Sequence, residues 1–392
     1  MMRPSAGAAL ADVVVVGGGV IGLSIAWRVR QRGATVIVVE RGALPSDRGA
    51  APPDGQAGWA AAGMLAPLAE TGSRTPLLDL GLESLALYSQ FVEELAAATG
   101  VPVALQGPGM LRLAQTPARV EALQKVFAWQ RSLGLSLEWI EAEDVRRMEP
   151  ALDPGIAAAV FSPKEKSVDP RTLLCALEKA CVSSGVQLVT ETPVVGLETS
   201  ERRVAAVRTA DGNISCGELV LAAGAWTPAI ARMLDLVIPV VPLRGQMVAL
   251  ACPGKLSHTV YSDEGYLVPR EDGKLLVGAT EENVGFELRP TVGGISGLLG
   301  LAGRLLTDAS PLPFHSAWAG LRPASPDHLP ILGSATGWAN LHLATGHFRN
   351  GILLTPVTAR IMAAWITERE SDPLLRGVEL NRFSSRESPR SD

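Results

Sequence analysis

Residues 12–40 read DVVVVGGGVIGLSIAWRVRQRGATVIVVE, and this stretch decides the fold. The unbroken valines 13–16 have the branching and length of a fully buried strand. Segment 20–32 follows with a helical pattern, and 35–39 is a second short apolar run, giving strand, helix, strand. Gly17, Gly19 and Gly22 stand between the first strand and the helix in a GxGxxG pattern. Gly17 permits the tight turn, Gly19 lets backbone approach a pyrophosphate, and Gly22 allows helix to pack closely on strand. The open N–H groups and positive dipole end of the helix then face the phosphates. Glu40 ends the second strand, where a carboxylate can accept ribose hydroxyls. The unit is that of a dinucleotide-binding Rossmann-type domain. The motif alone does not separate NAD from FAD; enzymes using both usually need two cradles and only this one is found, so from the N-terminus alone a nicotinamide-only dehydrogenase stays open.

Around this unit, 392 residues are too many for one ordinary core, and two domains are expected. Hydrophobic residues make up 47% and charged residues 19%, the balance of a globular enzyme rather than a disordered or fibrous chain. A net charge of −5 provides no basic field for nucleic acid or anionic lipid, which points to a small-molecule partner. No apolar run reaches the length of a membrane span, so no membrane partner is expected. Residues 1–11 run straight into the first strand without a cleavage-type segment, so a cytoplasmic location is expected. The four cysteines form no CxxC pair and the five histidines no HxxxH pair, so no metal site is expected.

Further along, 41–58 is rich in Gly, Pro and Ala and reads as loop. Helices are expected at 83–99, 117–133 and 142–148, and again after the Asp169 cap with Pro170 in the first turn, as far as 183. Short strands fill 186–222, and a hairpin at 265–270 and 274–278 turns through Asp272 and Gly273. A helix at 298–306, a strand at 341–344, a glycine-bounded loop and a helix at 352–367 complete the pattern. The polar tail after Asn381 is expected to fray.

Three more segments, WAAAGML at 59–65, WAGLRP at 318–323 and GHFRNGIL at 346–353, resemble the D-amino-acid oxidase superfamily of FAD-dependent oxidoreductases, and within it the bacterial glycine oxidases. LVLAAGAW at 219–226 is similar to that family's second FAD-contacting strand. The likeness runs from about Asp12 to Thr367. It implies an α/β fold with a Rossmann-type FAD-binding domain (10–80, 151–235 and 318–380) and a second, discontinuous α+β substrate domain (81–150 and 236–317). FAD contacts are implied at Val20, Ile21, Glu40, Arg41, Ala57, Gly58, Ala62, Gly63 and Met64, and at Val194 through its backbone. His347, Phe348, Arg349, Asn350, Gly351, Ile352 and Leu353 would wrap the flavin ring. Arg322 would hold a substrate carboxylate, with Arg349 close by and Tyr266 lining the pocket. Gly58 and Trp59 stand where relatives often carry hydroxyl residues, and Glu281 where a glycine oxidase carries methionine. No Cys lies near Ala324 and no His precedes His258, so FAD is expected to be held noncovalently.

The chemistry so implied moves a hydride from the substrate α-carbon to flavin N5, with position and charge supplied by the protein. No side chain needs to act as general acid or base if the amine is neutral, and none is named. Oxygen would reoxidise the flavin to give hydrogen peroxide. The imine would hydrolyse to glyoxylate and ammonia or feed thiazole assembly for thiamine, and relatives imply a homotetramer. Arg322 lies in an otherwise apolar stretch and its planar fork matches a carboxylate; an ion pair with Asp327 is the structural alternative. A helix starting near Ile352 would direct its N-terminus at the flavin N1–C2 edge. A D-amino-acid dehydrogenase, a sarcosine-type oxidase and a flavin-bound scaffold protein stay open as alternatives.

Overall fold

The computed structural model describes residues 9–44, 55–252 and 254–383. Its first sheet has a parallel core of Gln187–Val189, Val36–Val39, Ala9–Val16, Gly212–Leu221 and Leu341–Thr345. The four valines predicted as a strand are all 4% exposed or less, as a strand covered on both faces requires. Arg203–Thr209 and Val194–Ser200 extend one side as an antiparallel pair, and Ile331–Ser334 returns along Leu341–Thr345. Helices Val20–Gln31, Pro76–Thr99, Pro170–Ser183 and Thr355–Glu368 close one face around a common core that includes Trp27, Tyr88, Phe91 and Met362.

The second eight-stranded sheet runs in the order Phe314–Ala324, Val241–Ala251, Lys274–Gly278, Gly265–Pro269, Thr259–Ser262, Met110–Ala114, Ala158–Ser162, Glu138–Glu141. Its pairs are antiparallel except Thr259–Ser262 with Met110–Ala114. Helix Val292–Leu305 covers its apolar side through Leu298, Leu301, Ala302 and Leu305. Among the described residues, no helix is long and apolar enough to cross a membrane.

Several boundaries differ from the sequence reading. The helix expected at 83–99 starts at Pro76, because Thr75 is extended and Pro76 fits the first helical turn. Gly81 inside it is needed: a Cβ there would lie 2.8 Å from Cβ of Pro67. The helix expected at 298 begins at Val292, since the Thr291 hydroxyl accepts from Gly294 N. The last helix begins at Thr355, three residues late. The carbonyl of Ile352 accepts from the Tyr88 hydroxyl at 2.6 Å, and that of Leu353 from Ser84 Oγ at 2.6 Å. The 41–58 stretch ends in a helical turn, Ala57–Ala60; its residues 45–54, and the tail from 384, lie outside the described residues. Sheet membership also departs from the expected domain segments. Ala158–Ser162 pairs within the second sheet, and Phe314–Ala324 belongs to it along its whole length, past the expected boundary at 318.

Candidate functional site

A cavity of about 380 Å³ lies between the first sheet and the face of the second. At its deep end is the glycine turn. Gly17 has φ +115° and donates to the Val39 carbonyl at 2.9 Å, and a Cβ on it would sit 2.5 Å from the Ala222 oxygen. Gly22 does not line the cavity; a Cβ there would be 1.9 Å from the Gly17 carbonyl oxygen, so its role is to let the helix press on the turn. Helix Val20–Gln31 has Gly19 as N-cap, with no side-chain cap and no acidic residue in its first turn. That leaves its opening N–H groups for a ligand anion. The Glu40 carboxylate accepts from Gly18 N at 2.6 Å and Gly42 N at 3.0 Å, which fixes it beside the turn with lone pairs to spare. The Arg41 guanidinium lies 3.9 Å over the Trp226 ring, and Val194 lines the same end.

Midway, Ala57, Gly58, Ala62, Gly63 and Met64 form one wall, and His347, Phe348, Asn350, Gly351 and Ile352 another. Gly63 has φ +73°, and a Cβ there would lie 2.0 Å from the Val168 oxygen. Half-buried Arg270, which the sequence reading missed, donates to the carbonyls of Ala62 and Val168 and pins this wall. Burial brings its guanidinium down to about 10, so it stays charged at neutral pH. His347 is 3% exposed and burial lowers it to about 3, so the ring is neutral; its Nε2 meets Thr358 Oγ1 at 3.2 Å. Leu353 lies outside the lining, in the core beside helix Pro76–Thr99. Gln56 Oε1 is buried, borders the cavity and has no hydrogen-bond partner among the described residues.

Towards the second sheet the cavity ends in Arg322, Tyr266, Met247, Arg349 and Glu70. Arg322 Nη1 donates to the Thr280 carbonyl at 2.9 Å, and among the described residues no carboxylate pairs with it. Asp327, its structural alternative, pairs with Arg382 at 2.8 Å. Arg322 has room because Gly245 lies beneath it on the neighbouring strand: a Cβ there would be 2.4 Å from Cζ, Nη1 and Nη2. Tyr266 is 6% exposed, its ring lies over Gly278, and its hydroxyl donates to Met247 Sδ at 3.4 Å. Burial raises the phenol against the opposing pull of Arg322, so it stays protonated. Arg349 Nη2 pairs with Glu70 Oε1 at 3.2 Å and donates to the Tyr261 hydroxyl at 3.4 Å. Burial works against that charge, but Glu70 and the two phenols outweigh it and hold Arg349 firmly protonated. Glu281 is exposed and does not line the cavity.

These features fit FAD. A cradle that a Cβ would fill, an uncapped helix N-terminus, a mostly apolar middle and an orphaned amide oxygen follow one another along a single cavity. Glu70, Gln56 and Met247 were not singled out from the sequence. Glu70 stands only five residues beyond the WAAAGML segment, and that proximity was the available signal.

A family profile described as FAD dependent oxidoreductase matches residues 12–365. The chain is 36% identical over 391 residues to the bifunctional protein ThiO/ThiG of Trichormus variabilis, covering 96% of this chain and 56% of that one. It therefore spans about half the length of that relative. It is 33% identical over 363 residues to the glycine oxidase of Geobacillus kaustophilus, covering 92% of this chain and 94% of that one. The crystal structure of glycine oxidase from Geobacillus kaustophilus superposes with a TM-score of 0.89 at 32% identity, covering 95% of this chain and 99% of that one.

Proposed function

The chain belongs to the FAD dependent oxidoreductase family, and from that premise we propose that it oxidises glycine or a similarly small amine or D-amino acid. The observation that carries this reading is Arg322, a guanidinium without an acidic partner among the described residues, at the end of the cavity that begins at the glycine turn. FAD, held noncovalently, would supply the two-electron acceptor, with O2 as the oxidant that restores it and is itself reduced to hydrogen peroxide.

The protein contributes position and charge. Arg322 takes the substrate carboxylate in its fork, and its bond to the Thr280 carbonyl limits the directions it can point. Protonated Tyr266 and Met247 line the cavity beside it. The neutral His347 ring and the carbonyl-anchored 350–354 turn hold the opposite wall without adding charge. No lining residue is assigned as acid or base. The amine enters neutral, so the carbon–hydrogen bond breaks without a protein proton acceptor. The implied product is an imine that hydrolyses to glyoxylate and ammonia or serves thiazole assembly for thiamine. The proposed setting is the cytoplasm, with a homotetramer as the proposed assembly.

The test adds glycine, sarcosine, D-alanine and D-proline separately to purified yellow protein. Bleaching under nitrogen and peroxide in air are expected with glycine. Bleaching without peroxide would make it a dehydrogenase, and no bleaching with any of the four would refute the reading.

A further inference from the structure

The amino-acid-binding end of the cavity contains two guanidiniums, yet a glycine carboxylate needs one. Among the described residues, the charged side chains lining this end are Arg322, Arg349 and Glu70, and Glu70 lies 3.2 Å from Arg349. The side chains of Glu70 and Arg349 are 13% and 30% exposed, so solvent screens the pair less than it would a fully exposed one. The turn carrying Glu70 is braced from behind. The buried Glu165 carboxylate accepts from Leu68 N at 2.6 Å, and Gln130 Nε2 donates to the carbonyls of Leu68 and Thr71 at 2.9 and 3.1 Å. Glu70 is thus held against Arg349 by the fold rather than by a flexible loop.

We propose that Glu70 sets the charge selectivity of the site: by pairing with Arg349 it withdraws one guanidinium from anion recognition, so the cavity takes an amino acid with one carboxylate and discriminates against one with two. This rests on the reading that Arg322 receives a substrate carboxylate. Two arginines and one glutamate leave a single positive charge, which one carboxylate neutralises. A second carboxylate reaching Arg349 must displace Glu70, and the displaced carboxylate then faces two substrate anions in a poorly hydrated space.

The experiment compares kcat/KM for iminodiacetate and for glycine in FAD-bound wild type, Glu70→Gln, Glu70→Asp and Arg349→Met. Glu70→Gln frees Arg349, and the iminodiacetate-to-glycine ratio is expected to rise about tenfold or more. Glu70→Asp keeps the charge and restores a ratio near that of wild type. Arg349→Met leaves Glu70 as an unpaired anion, so the ratio falls, which tests the idea from the other side if Glu70→Gln does not retain flavin. A ratio that stays constant in Glu70→Gln, or in Arg349→Met, overturns the proposal. If wild type turns over no amine, the proposed function fails and the charge argument is read from binding instead. Malonate and acetate are then titrated against the flavin absorbance, and malonate must gain over acetate in Glu70→Gln; equal changes reject it.

Discussion

Gly245→Ala tests the placement of Arg322 without replacing any side chain proposed to bind substrate. A Cβ at 245 would lie 2.4 Å from Cζ, Nη1 and Nη2 of Arg322. Carbon–carbon contacts settle near 3.5 Å, so the guanidinium must move by roughly 1 Å. It is the tip of a flexible side chain, so it yields while the paired strands Val241–Ala251 and Phe314–Ala324 stay in register. A 1 Å error in a positioning group costs about a hundredfold in rate, or roughly 2.7 kcal/mol of barrier. The expected variant is therefore yellow, melts close to wild type and loses about a hundredfold in kcat/KM for glycine. Steady-state peroxide assays and anaerobic stopped-flow bleaching measure the loss. Because the methyl acts only through Arg322, adding it to an Arg322→Leu protein should cost little more. Full activity in Gly245→Ala with flavin bound, or an undiminished further loss in the double variant, refutes the reasoning.

Arg322→Leu alone leaves the substrate carboxylate unpaired and should cost roughly 3–5 kcal/mol, or about 10²- to 10⁴-fold in kcat/KM; unchanged kinetics with FAD bound would remove Arg322 from the site. Gly22→Ala puts a methyl 1.9 Å from the Gly17 carbonyl oxygen, a backbone atom that cannot step aside cheaply. FAD titration of that apoprotein should show affinity weakened about tenfold or more, and wild-type affinity would count against the cradle. Burial raises the Glu165 carboxyl from an ordinary 4.5 to about 7. Its folded value lies above its unfolded one, so its stabilising effect is complete below pH 4.5 and lost as pH rises through about 7. Removing it as Glu165→Gln should flatten the fall in melting temperature between pH 5 and 8, a difference of about 3 kcal/mol; parallel curves would show that the carboxyl does not titrate there.

What could be read in the sequence was local. The glycine turn, its strand and helix, the Asp169 cap and the Asp272–Gly273 hairpin each rest on neighbours within a few residues, and each stands where expected. The start of the last helix was misread because its determinants are remote: Tyr88 and Ser84, more than 260 positions earlier, take the carbonyls of Ile352 and Leu353. Glu70 escaped notice for a similar reason. Its meaning comes from Arg349, 279 residues on, and an isolated acid after an apolar segment carries no signature of such a pairing. Sheet membership of Phe314–Ala324 was equally hidden, since one strand can pair at an edge without any change in its own residue pattern.

That strand explains how distant segments act as one site. It pairs with Val241–Ala251 so that Arg322 stands opposite Leu243 and Gly320 opposite Gly245. Along its other side, Leu321 N donates to the Gly55 carbonyl at 3.0 Å, Trp318 Nε1 to Ala60 at 3.0 Å, and the Pro323 carbonyl accepts from Phe348 N at 2.9 Å. Gly320 lets it come that close, because a Cβ there would be 2.4 Å from Cβ of Ala60. The proposed carboxylate anchor and both cavity walls are thus tied to one strand, rather than to loops that could drift independently. On the proposed function, a small amine gives the protein few atoms to hold, so orientation must come from a short, stiff path between anchor and acceptor. A bulky side chain at Gly320 should accordingly harm flavin binding and substrate binding together, whereas one at Gly245 should harm only the second; separate losses at Gly320 would show that the strand does not couple them.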